Sequence, residues 1–261
     1  MNVLTILTTA TPRPDVHRVA MLDVVKQLIE NQTQDKINWY INIDVPAMFS
    51  KDEVEKTVNE INVFSTKYQD LQVHILTGHK EAHFGAAARR LYMTADVALD
   101  KVNCTEAFLW LEDDWMLVND NSFFKEVKSF FEQSYDIFLC TSQKYISGPP
   151  FFFKRDFFDI IKNNYFISEV TLDPELMLFE CVKKRYDTDE KRYEHPFYKR
   201  KDVFKDIGRE WRANRSIEKL NKYNAELHTN TWVTSHEAKM EELIQQIRNR
   251  QNGYEENITS L

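Results

Sequence analysis

The chain has 261 residues, 43% hydrophobic and 13% aromatic with only 5 Gly and 7 Pro, a composition that excludes disorder and low-complexity repeats. That length buries one substantial core, or a core with a modest appendage, and a net charge of −7 argues against strong nonspecific affinity of the whole surface for DNA. Apolar runs are strand-sized, far below the roughly 20 residues that cross a bilayer, and no basic segment leads an apolar one at Met1, so a soluble cytoplasmic protein is expected.

Residues 3–8, VLTILT, read as a short buried strand that runs into TATPRP, where two prolines fix an irregular loop. Asp15 is expected to cap a helix whose apolar positions 16, 19, 21, 22, 24, 25, 28 and 29 follow helical spacing. INWYINID, 37–44, is a second strand ending on Asp44. Residues 52–66 form a helix with Val54, Val58, Ile61 and Phe64 on one face, and LQVHIL, 71–76, is a third strand. A loop and a helix beginning near Phe84 follow.

The fourth strand lies in FLWLEDDWMLV, 108–118, where Glu112, Asp113 and Asp114 stand between two strongly apolar runs. Charges at the mouth of a core strand need hydrogen bonds or a cation, and oxygen ligands this close together suit a hard ion such as Mg²⁺ or Mn²⁺. A solvated strand-to-turn junction is the plainer reading of such a triplet. Beyond it come a helix around 121–132, a strand IFLCT at 137–141 and a turn at SGPP. Strands alternating with helices imply a mostly parallel sheet whose right-handed crossovers gather the loops at the strand ends on one side. There the loop after strand one, Asp44, the Gly85 loop and the acidic triplet converge on a crevice that can hold a nucleotide. Neither GxGxxG nor GxxxxGK[ST] is present, so a dinucleotide fingerprint and a P-loop are both excluded. Cys104, Cys140 and Cys181 are widely spaced in apolar settings and fit reduced core thiols better than disulfides or a zinc site.

The order of a strand carrying Thr8, Thr9, Thr11 and Arg13, a strand ending on Asp44, a GAAARR helix start and an acidic triplet on strand four resembles a GT-A glycosyltransferase, similar to the family 2 type. The resemblance covers roughly residues 1–180. It implies a Rossmann-like α/β fold with a mostly parallel central sheet flanked by helices, a catalytic core over 1–182, and a C-terminal helical extension over 183–261 that contributes to the acceptor site. The family's acidic motif is usually DxD, and here it is Glu112, Asp113, Asp114. Asp114 aligns with the metal ligand, which would hold Mn²⁺ or Mg²⁺, while Glu112 and Asp113 stand at the donor nucleotide.

By the same resemblance Thr8, Thr9, Thr11 and Arg13 with Asp44 would hold base and ribose of a nucleotide sugar, a UDP-sugar being the first expectation. Gly85 and the cation Arg89, or Arg90, would meet its phosphates. SGPPFFFKRDFFDII, 147–161, is similar to the family's acceptor-side turn, its phenylalanines reading as core rather than a sugar platform. Asp173 and Pro174 suit a helix N-cap and first-turn proline, while inverting members place a carboxylate base in this position, making Asp173 or Glu175 the candidate. His228, or His195, would complete the metal's ligands as a late histidine, although a lone histidine is more often structural.

Between Lys183 and Arg215 there are 12 Lys or Arg against 7 Asp or Glu, interleaved with Tyr186, Tyr193, Phe197, Tyr198, Phe204 and Trp211. Phosphate contacts plus stacking faces are what a nucleic-acid surface offers, though a solvated face with anchoring aromatics has the same look. Residues 235–250 read as a charged amphipathic helix. The expected activity is metal-dependent transfer of a sugar from a nucleotide sugar to a hydroxyl. An acceptor compatible with the basic segment is a hydroxymethylated base in phage DNA, presented flipped out, with the enzyme acting in the host cytoplasm. A saccharide or protein acceptor is the alternative within the class. A nucleotidyltransferase would carry a glycine-rich basic loop after strand one, and TTATPRP has neither glycine nor lysine. A catalytically silent binding module would tolerate loss of the acids.

Overall fold

The structure, a computed structural model, describes residues 3–31, 33–43, 49–77, 105–118, 121–133, 136–140, 150–165, 181, 198–199 and 203–208. Within them lies a three-layer α/β arrangement. Strand β1 (Val3–Ala10) is buried along its whole length, as a central parallel strand covered on both faces should be. It pairs in parallel with β2 (Lys36–Ile43) on one side and with β4 (Thr105–Glu112) on the other. The edge beyond β2 is β3 (Leu71–Thr77), also parallel. Beyond β4 come β7 (Phe151–Lys154), β6 (Ile137–Leu139) and β8 (Tyr198–Lys199), giving the order β3-β2-β1-β4-β7-β6-β8. Only β7 runs against the other six. The mostly parallel sheet expected from the alternation of strands and helices is therefore present.

Helices pack on this sheet. The single helix expected from residue 15 is two, α1 (Pro14–Val19) and α2 (Met21–Glu30), divided at Ala20, whose φ of −114° and ψ of −106° are not helical. Nor does Asp15 cap it. Pro14 takes the first helical position, where its fixed φ and missing N–H cost nothing, and Asp15 falls in the exposed first turn with its carboxylate 3.4 Å from Arg18. Helix α3 (Lys51–Ser65) starts on a capping box: the Ser50 hydroxyl accepts from the Glu53 amide at 3.2 Å, and the Glu53 carboxylate accepts from the Ser50 amide at 2.8 Å. Helices α4 (Asn121–Glu132) and α5 (Arg155–Tyr165) complete the described set.

The phenylalanines of 151–158 are core, as their sequence reading favoured. Phe151, Phe152, Phe153, Phe157 and Phe158 are fully buried, with Phe108 stacked between Phe153 (5.1 Å) and Phe158 (4.3 Å). Cys140 and Cys181 are buried thiols in no disulfide, and burial pushes the Cys140 thiol up, away from reactive thiolate character. Two short strands, β5 (Trp115–Leu117) and β9 (Phe204–Asp206), pair antiparallel outside the main sheet. This corrects one expectation about the basic segment. Phe204 is no exposed stacking face; it lies in the core, edge-on to Phe123 at 5.6 Å.

Candidate functional site

Chain order decides where a site can form. From β1 the chain steps to β2 and β3 on one side, then β4 inserts on the other side of β1. The crevice outside the carboxyl ends of β1 and β4 is thus a topological switch point, the usual ligand position in open α/β sheets. Register brings Thr9 of β1 opposite Glu112 of β4, and the Asp113 amide donates to the Thr9 carbonyl at 3.2 Å. The acidic triplet therefore turns over the end of β1, against the TATPRP loop.

Asp113 is taken up by that loop. One of its carboxylate oxygens accepts from the Thr11 amide (3.0 Å), Arg13 Nε (3.1 Å) and His17 Nε2 (2.9 Å), and the other accepts from Arg13 Nη2. Burial alone would raise its pKa. The Arg13 charge and the hydrogen bond from His17 more than reverse this and hold the carboxyl well below the usual carboxylate range. A buried pair of this kind adds little net stability, but removing one partner is costly, so its effect is to lock the loop after β1 onto the turn after β4.

Arg13 Nη2 also reaches Asp114 Oδ2 at 3.2 Å. The Asp114 carbonyl accepts from the Ile207 amide at 3.0 Å, which docks the end of β9 beside the turn. Gly208 then lies so close that a Cβ built there would stand 1.9 Å from Asp114 Oδ2. Asp114 is thus pressed between Arg13 and Gly208, yet its side chain keeps 11% exposure against 5% for Asp113. Glu112 is half-buried and accepts from Trp115 Nε1 at 3.3 Å.

Of the residues singled out from sequence, the structure brings Thr9, Thr11, Arg13, Glu112, Asp113 and Asp114 together. Two of the expected nucleotide contacts turn inward instead. The Thr8 hydroxyl accepts from Trp39 Nε1 at 2.8 Å within the core, and the Arg13 guanidinium is spent on Asp113 and Asp114. Asp44, Gly85, Arg89, Arg90, Asp173, Glu175, His195 and His228 lie outside the described residues. Sequence reasoning missed His17 and Gly208. The only local signal for His17 is its place four residues after Arg13, one helical turn along. For Gly208 it is a lone glycine inside a charged, aromatic run.

The donor set bears on a metal. Among the described residues no group of three or more His, Cys, Asp and Glu side chains could hold an ion by itself. Asp113 is taken up by protein donors, and the remaining carboxylates of the turn are Asp114, buried but with 11% of its side chain exposed, and the half-buried Glu112. Magnesium-type ions are commonly held by one or two carboxylates together with substrate phosphates, a donor count that the acidic turn can supply.

No family model matches the sequence, and no curated protein is significantly similar to it. Solved structures share its outline. A mannosyltransferase from Pyrobaculum calidifontis, in complex with GDP-Man and Mn²⁺, overlays 91% of this chain and 73% of its own at 10% identity, with a TM-score of 0.48. A Bacillus anthracis protein described as a glucose-1-phosphate thymidylyltransferase, in complex with sucrose, overlays 87% of this chain and 96% of its own at 11% identity and 0.45. A glycosyltransferase involved in glycosylation of the major capsid of PBCV-1 overlays 76% and 82% at 14% identity and 0.39. Overlaps this loose concern outline alone, so the chemistry rests on the side chains of this chain.

Proposed function

We propose that the chain is a metal-dependent glycosyltransferase that moves a sugar from a nucleotide-sugar donor, a UDP-sugar first, to a hydroxyl acceptor. The observation that supports this reading is the carboxylate of Asp114, which stands just beyond β4 at the β1/β4 switch point, held by Arg13 and packed against Gly208. A divalent ion, when bound, supplies neutralisation of the charge that develops on the leaving diphosphate. Asp114 would hold it, with His228 as a further ligand. Thr9, Thr11 and Asp44 are the proposed base and ribose contacts, and Gly85 with Arg89 the phosphate contacts. Asp173 or Glu175 would take the proton of the acceptor hydroxyl as it attacks.

The acceptor we propose is a hydroxymethylated base in phage DNA, met by the basic segment within a unit over 183–261. Phe204 is excluded from that surface by its burial, leaving Tyr186, Tyr193, Phe197, Tyr198 and Trp211 as stacking candidates. The reading is tested by calorimetry and thermal shift with UDP- and GDP-sugars, with and without Mn²⁺. One nucleotide sugar should stabilise the protein only with metal, and Asp114→Asn should abolish the effect. Absence of any nucleotide binding would refute it, and pyrophosphate release from a nucleoside triphosphate plus a sugar phosphate would replace it with nucleotidyl transfer. Labelled sugar appearing in hydroxymethylcytosine DNA but not in unmodified DNA would identify the acceptor.

A further inference from the structure

We infer that His17 is a positioning residue for the acidic turn, acting through Asp113 on Arg13 and through Arg13 on the carboxylate of Asp114. The inference rests on the reading of Asp114 as the cation-holding group. His17 is fully buried, and its Nε2 donates to Asp113 Oδ2 at 2.9 Å. Its Nδ1 has no hydrogen-bond partner among the described residues, so Asp113 is the polar contact that this buried ring makes there. A polar ring buried for one hydrogen bond calls for an explanation beyond packing.

The geometry supplies one. His17 and Arg13 lie one helical turn apart, and the His17 amide donates to the Arg13 carbonyl at 3.0 Å, so α1 sets both donors at a fixed separation. Three donors then meet at a single oxygen of Asp113: the Thr11 amide, Arg13 Nε and His17 Nε2. With all three in place the carboxylate cannot pivot, and the guanidinium plane that grips it is fixed in turn. Arg13 Nη2 bridges from Asp113 to Asp114 and passes that orientation on. Without the imidazole, the Arg13 pair remains but can swing about the Asp113 Cβ–Cγ bond, and the 3.2 Å contact to Asp114 swings with it. Partners bonded directly to a metal-holding group typically set its affinity by about 10- to 100-fold, and His17, standing behind Asp113 and Arg13, falls at the lower end, about 10-fold.

The test compares His17→Leu, which keeps bulk and loses the N–H, with His17→Gln, whose amide nitrogen reaches the place of Nε2, and His17→Asn, whose amide falls short of it. Mn²⁺ is titrated calorimetrically into each folded variant with UDP, and separately with GDP, held in excess, beside binding of the nucleotide without metal. His17→Leu and His17→Asn should weaken Mn²⁺ by about 10-fold without changing metal-free nucleotide binding, and His17→Gln should restore it. If His17→Leu does not fold, the contrast between Gln and Asn decides. Equal loss in Gln and Asn, or wild-type Mn²⁺ affinity in Leu or Asn, overturns the role of His17 while leaving the Asp114 reading intact. A wild-type protein that takes no Mn²⁺ with either nucleotide overturns both.

Discussion

Gly208→Ala is the sharpest perturbation of the acidic turn because its consequence is worked from one distance. The new Cβ would stand 1.9 Å from Asp114 Oδ2 and 2.7 Å from its Cγ, whereas real Cβ contacts essentially never fall below 3.0 Å. The shortfall is 1.1 Å (3.0 less 1.9), and it has to be met by movement of a short carboxylate side chain or of the backbone that carries it. Asp114 cannot move that far and keep its 3.2 Å contact with Arg13. A displacement of about 1 Å at a reacting centre costs on the order of 100-fold, about 2.7 kcal/mol. Metal-dependent turnover of the nucleotide sugar, followed as kcat/KM, should therefore fall by roughly that factor in Gly208→Ala. The core is untouched, so thermal unfolding should remain cooperative. In an Asp114→Ala background the carboxylate is gone, and adding Gly208→Ala should cost almost nothing further, a strongly non-additive cycle. Wild-type metal response in Gly208→Ala, or additive losses in the double variant, would refute the reasoning.

Substitutions at three further positions have outcomes set by the described contacts. Asp113→Asn removes one of the two carboxylates that pair with the buried Arg13 and should destabilise by up to about 3–5 kcal/mol in chemical denaturation. The Asp113 pKa is depressed by Arg13 and His17 in the folded state, so the unfolded chain takes up that proton first, at about 3.9. The stability it contributes is complete above the unfolded pKa and is lost as pH falls toward the folded value. Asp113→Asn should flatten the acid limb of a Tm-against-pH curve, and an unchanged limb would count against the network. Thr8→Val leaves the Trp39 indole N–H unpaired in the core and should cost about 1–3 kcal/mol with nucleotide binding unaltered; weakened binding at native stability would put Thr8 back at the ligand. Phe153→Ala should cost about 3–5 kcal/mol through the cavity it opens beside Phe108, and Phe153→Leu should keep donor and acceptor binding. Loss of acceptor binding in the leucine variant would restore the sugar-platform reading.

Much of the fold is legible locally. The runs of 3–10 and 36–43 each carry five apolar residues in eight, enough to mark parallel strands covered on both faces, and their alternation with amphipathic segments forces crossovers in one sense. Helix α4 falls on residues 121–132, the range its apolar periodicity marks. The break at Ala20 is not visible that way, since the apolar positions continue in phase through it and only the backbone angles depart.

The site divides along the same line. Glu112, Asp113 and Asp114 between two apolar runs determine by themselves that carboxylates emerge at the end of a buried strand, because burial and charge are both written in adjacent residues. Which partner each carboxylate meets is not written there. Asp113 is turned to Arg13 and His17 across 100 and 96 positions, and Asp114 is pressed by Gly208, which β9 carries in from beyond residue 200 by pairing with β5. Composition and periodicity report what each residue requires of its immediate surroundings. Only the closed tertiary structure decides which distant partner meets that requirement, since hydrogen bonds and close contacts act over a few ångströms whatever the separation along the chain.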